Sequence, residues 1–62
     1  MSVKRRDLVK HLEANGFYLL REGANHSIYT NGEQVVPVKR HRFVDRITAN
    51  EICKQAKIQP KF

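Results

Sequence analysis

The dipeptide Asn31-Gly32 constrains the fold of this chain more than any other local feature of its sequence. Both residue types tolerate positive φ, so the dipeptide favours the type I′ turn that joins two antiparallel strands in a β-hairpin. Segments at residues 25–30 and 33–38 flank it, and both have the composition of strands. Pro37 removes one backbone donor from the second segment, which predicts that this strand lies at a sheet edge.

Amphipathic helices are predicted on both sides of the hairpin. Between residues 3 and 14 the apolar side chains recur at helical spacing, and Asn15-Gly16 supplies a C-terminal stop. A second helix is expected to begin at Thr48, because the Thr48 hydroxyl and the Glu51 carboxylate match a capping box. Pro60 limits how far this helix can extend.

An aromatic and apolar segment at residues 17–21 is predicted to be a further strand. The expected order of elements is αβββα, an α+β fold in which two helices cover one face of a three-stranded antiparallel sheet. A chain of 62 residues has room for one hydrophobic core, so residues 1–62 are expected to form a single domain.

The charge of the chain indicates an anionic partner. Twelve Lys and Arg residues stand against six Asp and Glu residues, which gives a formal net charge of +6. RNA, DNA, an acidic protein and an anionic membrane surface would all respond to this field. No apolar stretch approaches the roughly 18 residues of a membrane span, so a cytoplasmic protein without membrane contact is expected.

The cysteine content bounds the cofactor chemistry. Cys53 is the only cysteine, so the chain has no internal disulfide, and its histidines show none of the paired spacings of a structural zinc site. Cys53 falls on the apolar stripe of the second predicted helix, where a small thiol packs well. No metal and no other cofactor is therefore expected.

His26 is the leading candidate for catalysis, because it lies at the predicted start of a strand and hence near the rim of the sheet. An imidazole titrates close to neutral pH, which suits proton transfer during cleavage of an RNA phosphodiester. Strand alternation also puts His26 on the same face as Ile28, the face expected to cover the core. A structural histidine packed in that face is the competing interpretation.

Residues near this histidine are candidates for binding RNA. Lys39, Arg40 and His41 form a basic loop after the third predicted strand, where they could clamp phosphates, although an ordinary solvated loop has the same composition. The residue before the histidine, Asn25, belongs to the same candidate set. Tyr29 is expected on the free face of the sheet, either stacked on a base or packed against a neighbouring strand.

Three segments carry a resemblance to a known family: residues 6–17, the run Gly23-Ala24-Asn25-His26, and Val36-Pro37 with the basic loop and residues 52–58 behind it. In this order and spacing they resemble the HicA toxins, the RNA-cleaving members of toxin–antitoxin pairs in bacteria and archaea. The likeness covers nearly the whole chain.

The resemblance implies a fold similar to double-stranded RNA-binding domains, ribosome-independent cleavage of mRNA, and neutralisation by a HicB-type antitoxin. Carried over residue by residue, it makes His26 the catalytic histidine and gives Gly23 the role of shaping the loop before it. Ala24 stands where the family usually has serine or threonine, and Lys57 stands where the last helix usually meets glycine.

The sequence therefore predicts the toxin of a type II toxin–antitoxin system, a metal-independent endoribonuclease that cleaves mRNA with His26 as general acid or base. One alternative is a non-catalytic RNA-binding module of the same fold, which would bind RNA without cleaving it. A second is a small interaction protein whose positive surface docks onto an acidic partner, without RNA affinity above that of a generic polycation.

Overall fold

The computed structural model of the protein describes residues 2–62 and has an α+β architecture. Its elements in chain order are β1 (Ser2–Lys4), α1 (Arg5–Ala14), β2 (Tyr18–Glu22), β3 (His26–Thr30), β4 (Val35–Lys39), β5 (Phe43–Asp45) and α2 (Arg46–Gln55). Strands β2, β3 and β4 form an antiparallel sheet in that order, and β1 pairs with β5 in a separate two-stranded ladder. The predicted α+β class is confirmed, and the αβββα order omitted the short strands β1 and β5.

Helix α1 ends where its glycine predicts but begins later than expected. Gly16 has a φ of +87°, and the Phe17 amide donates to the Leu12 carbonyl over 3.0 Å. The Asn15 amide donates to the same carbonyl over 3.0 Å, and the two bonds together close the last turn of the helix. The first residues, 2–4, are extended rather than helical because they pair with Phe43–Asp45.

Helix α2 begins at Arg46, so the start predicted at Thr48 is wrong. The Asp45 carboxylate accepts a hydrogen bond from the Ile47 amide over 3.1 Å and caps the helix earlier in the chain. Aspartate is at least as good an N-cap as threonine, and the end of β5 places Asp45 where the chain turns into the helix.

The C-terminal end of α2 uses a left-handed residue that is not glycine. Lys57 has a φ of +60°, and the Ile58 amide donates to the Cys53 carbonyl over 3.0 Å. This closure has the same form as that of α1. Because a Cβ atom is crowded in the left-handed region, the backbone at Lys57 is strained.

The predicted hairpin is present, but a four-residue loop at residues 31–34 replaces the type I′ turn, since Thr30 pairs with Val35. Gly32 has a φ of +97°, whereas Asn31 does not adopt a positive φ. The Asn31 side-chain oxygen instead accepts hydrogen bonds from the two amides after Gly32, at 2.9 and 2.7 Å. The asparagine therefore stabilises the loop through its side chain.

The core lies between both helices and one face of the central sheet. Its buried members are Leu8, Leu12, Phe17, Tyr29, Val36, Val38, Val44, Ala49, Ile52, Cys53 and Ala56. The strand register sets Tyr29 opposite Val36 and Ser27 opposite Val38, so these four side chains share the inner face of the sheet.

The predicted assignment of the two sheet faces is wrong. Tyr29 is only 7% exposed and belongs to the core, whereas His26 and Ile28 lie on the outer face. Apolar residues occupy both odd-numbered and even-numbered positions of β3 and β4, so the alternation of side chains does not by itself identify the inner face of the sheet. The inner position at residue 29 buries a large aromatic ring against the helices, a greater apolar area than an isoleucine offers.

The outer face of the sheet is open and partly apolar. Val35 and Pro37 of β4 are exposed there, and β4 is an edge strand, as Pro37 predicts. Within residues 2–62, neither helix has the length and apolar character needed to span a membrane.

Candidate functional site

A cavity of about 350 Å³ opens at the end of the sheet where β3 begins and β4 ends. It is lined by Ala24, Asn25, His26, Lys39, Arg40 and His41. The structure thus brings together the candidate histidine, its preceding asparagine and the basic loop, which the sequence separates by about a dozen residues. We call this space the histidine cavity.

His26 is held at the mouth of this cavity by strand pairing. It is the first residue of β3, and its Cα atom lies opposite that of Lys39, the last residue of β4. The side chain is partly buried, while Lys39, Arg40 and His41 are exposed. His26 therefore lies on the outer face, within reach of solvent, and is not one of the core residues.

Backbone hydrogen bonds hold the loop before His26 in a compact conformation. The Gly23 amide donates to the His26 carbonyl over 2.7 Å, and the Arg40 amide donates to the Asn25 carbonyl over 3.3 Å. A Cβ atom at Gly23 would lie 3.1 Å from the His26 carbonyl oxygen, closer than ordinary packing allows. Because glycine has no side chain, the backbone at Gly23 can approach the His26 carbonyl this closely. This close approach is a physical reason for the role predicted for Gly23, which is to shape the loop before His26.

Arg40 has a structural role as well as a place in the cavity wall. Its guanidinium donates to the Gly23 carbonyl over 3.2 Å and lies 3.8 Å from the Glu22 carboxylate. Both groups are about half exposed, so this ion pair contributes little to stability. Its effect is to keep the basic loop beside the loop that precedes His26.

A buried serine next to His26 anchors the site to α1. The Ser27 hydroxyl accepts a hydrogen bond from the Arg5 guanidinium over 2.7 Å and donates to the Glu22 carboxylate over 2.5 Å. Arg5 also donates from Nε to the Lys39 carbonyl over 2.9 Å. Sequence reasoning missed Arg5, Ser27 and Glu22, although a serine at an inner position of β3 signals a buried hydroxyl that requires partners.

Tyr29 does not contribute to the histidine cavity. Its ring is buried in the core on the inner face of the sheet, so the predicted stacking of Tyr29 on a base is wrong. Tyr18, at the start of β2, is 53% exposed and is the more accessible of the two tyrosines.

The chemistry available in the histidine cavity is that of one imidazole beside several cations. The His26 imidazole can serve as a general acid or base, and Lys39 and Arg40 can stabilise negative charge on a phosphoryl group. Among residues 2–62, no group of three or more His, Cys, Asp or Glu side chains could hold a metal ion.

Cys53 lies away from this chemistry. Its side chain is fully buried in the core, as predicted from its position on the helix. Burial raises the pKa of the Cys53 thiol, and hydrogen bonds with the Lys61 and Cys53 backbone oppose this shift. The residue packs as a small apolar side chain.

A central sheet with helices on one face, a net charge of +6 and a cationic cavity around a rim histidine define a small basic α+β domain suited to an anionic partner. The family model described as "HicA toxin of bacterial toxin-antitoxin" matches residues 5–58, all but the first four and last four residues. The chain therefore belongs to the HicA toxin family. No curated protein and no solved structure gives a significant match.

Membership of this family confirms the resemblance of the three sequence segments and makes the protein a toxin with an antitoxin partner. It identifies the class of protein, and the geometry of the histidine cavity is the basis for assigning roles to particular residues.

Proposed function

We propose that this toxin is a metal-independent endoribonuclease that cleaves mRNA without the ribosome, with His26 as its catalytic residue. The observation that carries the proposal is the histidine cavity itself, in which a solvent-accessible imidazole lies among Asn25, Lys39, Arg40 and His41. A structural histidine would be expected among the core residues, and His26 is not.

The reaction is an attack of the RNA 2′-hydroxyl on the adjacent phosphate. The 2′-oxygen forms a bond to phosphorus as its proton is removed, and the bond from phosphorus to the 5′-oxygen breaks as that oxygen gains a proton. His26 carries out one of these proton transfers as general base or acid. Lys39 and Arg40 stabilise the charge that develops on the phosphoryl oxygens, while Asn25 and His41 contact the RNA.

The products of this reaction follow from its chemistry. One fragment ends in a 2′,3′-cyclic phosphate, which hydrolysis can open to a 3′-phosphate, and the other begins with a 5′-hydroxyl. End analysis of the cleaved RNA should detect these groups, and a 5′-phosphate would contradict the mechanism.

The proposal extends to the partner and the compartment. The antitoxin is of the HicB type, because the family resemblance implies this pairing. Both proteins act in the cytoplasm, where mRNA is the accessible polyanion. Co-expression with a HicB-type antitoxin should relieve growth arrest caused by the wild-type toxin, and unchanged arrest would contradict this pairing.

The deciding experiment is digestion of a long single-stranded RNA in EDTA by the wild-type chain, by His26→Ala and by His11→Gln. His11 lies outside the histidine cavity, where its Nε2 atom lies 2.8 Å from the Gln59 carbonyl oxygen, so this variant controls for loss of a histidine as such. Circular dichroism would establish that all three chains are folded. Cleavage by wild type and His11→Gln, but not by His26→Ala, is expected.

Other outcomes separate the alternatives. Cleavage by His26→Ala would leave a nuclease with a different catalytic residue, and loss of all cleavage on addition of EDTA would rule out the metal-independent mechanism. RNA bound but never cleaved would indicate the non-catalytic binding module. Absence of both binding and cleavage would favour a protein that docks only onto an acidic partner.

A further inference from the structure

A second cationic cavity lies at the start of α1. It has a volume of about 370 Å³ and is lined by Lys4, Arg5, Arg6 and Arg42, and we call it the N-terminal basic cavity. In residues 2–62 the ion pairs within 4.0 Å join Arg40 to Glu22 and Lys54 to Glu51, so none of these four cations is neutralised by a carboxylate at that distance.

Gathering four like charges without a counterion costs electrostatic energy. The four side chains line one cavity, so each repels the others, and dissolved salt screens this repulsion only in part. The positive end of α1, which begins at Arg5, adds to the same field, and Asp7 in the first turn of the helix opposes it in part. A cavity of this kind is stabilised when an anion enters it.

The cavity is assembled by contacts between distant parts of the chain. Lys4 and Phe43 are paired in the β1–β5 ladder, and the Arg5 amide donates to the Arg42 carbonyl over 2.9 Å. The Arg42 guanidinium lies 5.9 Å from the centre of the Phe43 ring. These contacts hold the backbones of Lys4, Arg5 and Arg42 side by side, so the fold brings their charges into one region.

Arg5 joins this cavity to the histidine cavity. It lines the N-terminal basic cavity, and its guanidinium also bonds to the Lys39 carbonyl and the Ser27 hydroxyl at 2.9 and 2.7 Å. Lys39 lines the histidine cavity, and Ser27 follows His26 in β3. One side chain therefore lies between the two cationic spaces.

We infer that the N-terminal basic cavity binds a backbone phosphate of the RNA strand whose cleavage site occupies the histidine cavity. This inference rests on the proposed ribonuclease function and adds a second anchoring point for the substrate. Arg6 and Arg42 contact the phosphate, since Arg5 already has two protein partners. Two anchors on either side of Arg5 fix the direction in which the strand crosses the surface and so orient the phosphate beside His26.

The test measures RNA affinity as a function of salt concentration in a His26→Ala parent, which prevents cleavage during titration. One variant of this parent carries Arg6→Gln and Arg42→Gln. The matched control carries Lys57→Gln and Lys61→Gln, which removes the same two charges from the segment after α2. The probe is a short unstructured RNA with a fluorescent label.

The arginine variant should lose its contacts with one phosphate. The slope of log K against log salt should become shallower by about 0.7, since each phosphate neutralised on a single strand contributes roughly that amount. The lysine control should keep the parental slope. A third variant with Arg6→Lys and Arg42→Lys should also keep most of the parental slope, because phosphate binding requires the two positive charges. Circular dichroism compares the folded content of all variants.

The proposal and the function on which it rests fail in different ways. If the wild-type chain cleaves RNA but the arginine variant matches the lysine control in slope and affinity, the phosphate site is overturned and the nuclease remains. If the parent binds no RNA above a generic polycation and the wild-type chain does not cleave RNA, both are overturned. If poly-L-glutamate binding is weakened as much as RNA binding, the cavity is a general anion site, which overturns the assignment to RNA.

Discussion

The Arg5 guanidinium donates a hydrogen bond of 2.7 Å to the hydroxyl of Ser27, 22 residues away in the sequence. Ser27 is 2% exposed and its hydroxyl donates a hydrogen bond to the Glu22 carboxylate, so one buried hydroxyl connects α1, β3 and β2. Because Ser27 follows His26 in the chain, this connection sets where β3 presents the imidazole.

Replacing Ser27 with alanine should therefore affect the site more than the fold. We expect the free energy of unfolding to fall by about 1 kcal/mol, since Glu22 and Arg5 retain access to water that compensates for the lost bonds. RNA cleavage should fall several-fold because the strand carrying His26 loses its tether. Urea denaturation and a cleavage assay measure the two effects. Ser2→Ala, at an exposed position, is the control, and equal cleavage by both variants would contradict the positioning role.

Gly23→Ala should impair the site through a backbone clash. The new Cβ atom would lie 3.1 Å from the His26 carbonyl oxygen, so the loop must move by a few tenths of an ångström. A displacement of this size should lower cleavage by roughly tenfold. The thermal midpoint should change little because the loop lies at the surface. Wild-type activity in Gly23→Ala would show that the close approach is not needed.

Lys57→Gly should stabilise the protein. The residue has a φ of +60°, where glycine avoids the strain of a side chain, and we expect a gain of about 1 kcal/mol. The same change at Lys54, inside the last turn of α2, should cost about 1 kcal/mol instead. Thermal unfolding of the two variants compares these effects, and a loss of stability in Lys57→Gly would contradict the strain at this position.

The Cys53 thiol should resist chemical modification in the folded protein. Its ionisation should also lower the free energy of unfolding at alkaline pH. Burial raises its pKa above the ordinary value of 9.0, so the folded chain holds this proton more tightly than the unfolded chain does. The stabilisation is complete below the unfolded pKa and is lost as pH rises through the folded pKa. Urea denaturation from about pH 8 to about pH 10 should show this decline, and Cys53→Ala should show a smaller one. Rapid reaction of the native thiol with a disulfide reagent would contradict its burial.

Local signals in the sequence were sufficient to predict the central elements. The Gly16 stop, the Asn31-Gly32 connection and the position of Pro37 depend on neighbouring residues, and each corresponds to a feature of the structure. The β1–β5 ladder could not be predicted this way, because its partners are about 40 residues apart and each strand has only three residues. The end of that ladder also decides where α2 begins, which explains the error at Thr48.

The composition of the site was more predictable than its orientation. The basic loop and His26 meet in one cavity because antiparallel pairing brings the start of β3 to the end of β4. Whether Tyr29 lies on the inner or the outer face depends on which side of the sheet the helices cover. Both the inward-facing and the outward-facing positions of β4 are apolar, so the sequence pattern does not identify the covered face. The hydrogen-bond partners of Ser27 could not be predicted, since no local sequence pattern connects residue 27 to residue 5.

The separate β1–β5 ladder also has a consequence for the order of assembly during synthesis. The β2–β3–β4 meander uses contiguous residues 18–39 and can pair as soon as these emerge, whereas Lys4 must wait for Phe43. Closing the longer loop costs more entropy, so we expect it to form later. A nascent chain would then present the histidine cavity before Arg5 is docked against it. The complete surface would exist only once β5 (Phe43–Asp45) has been translated and has paired with β1.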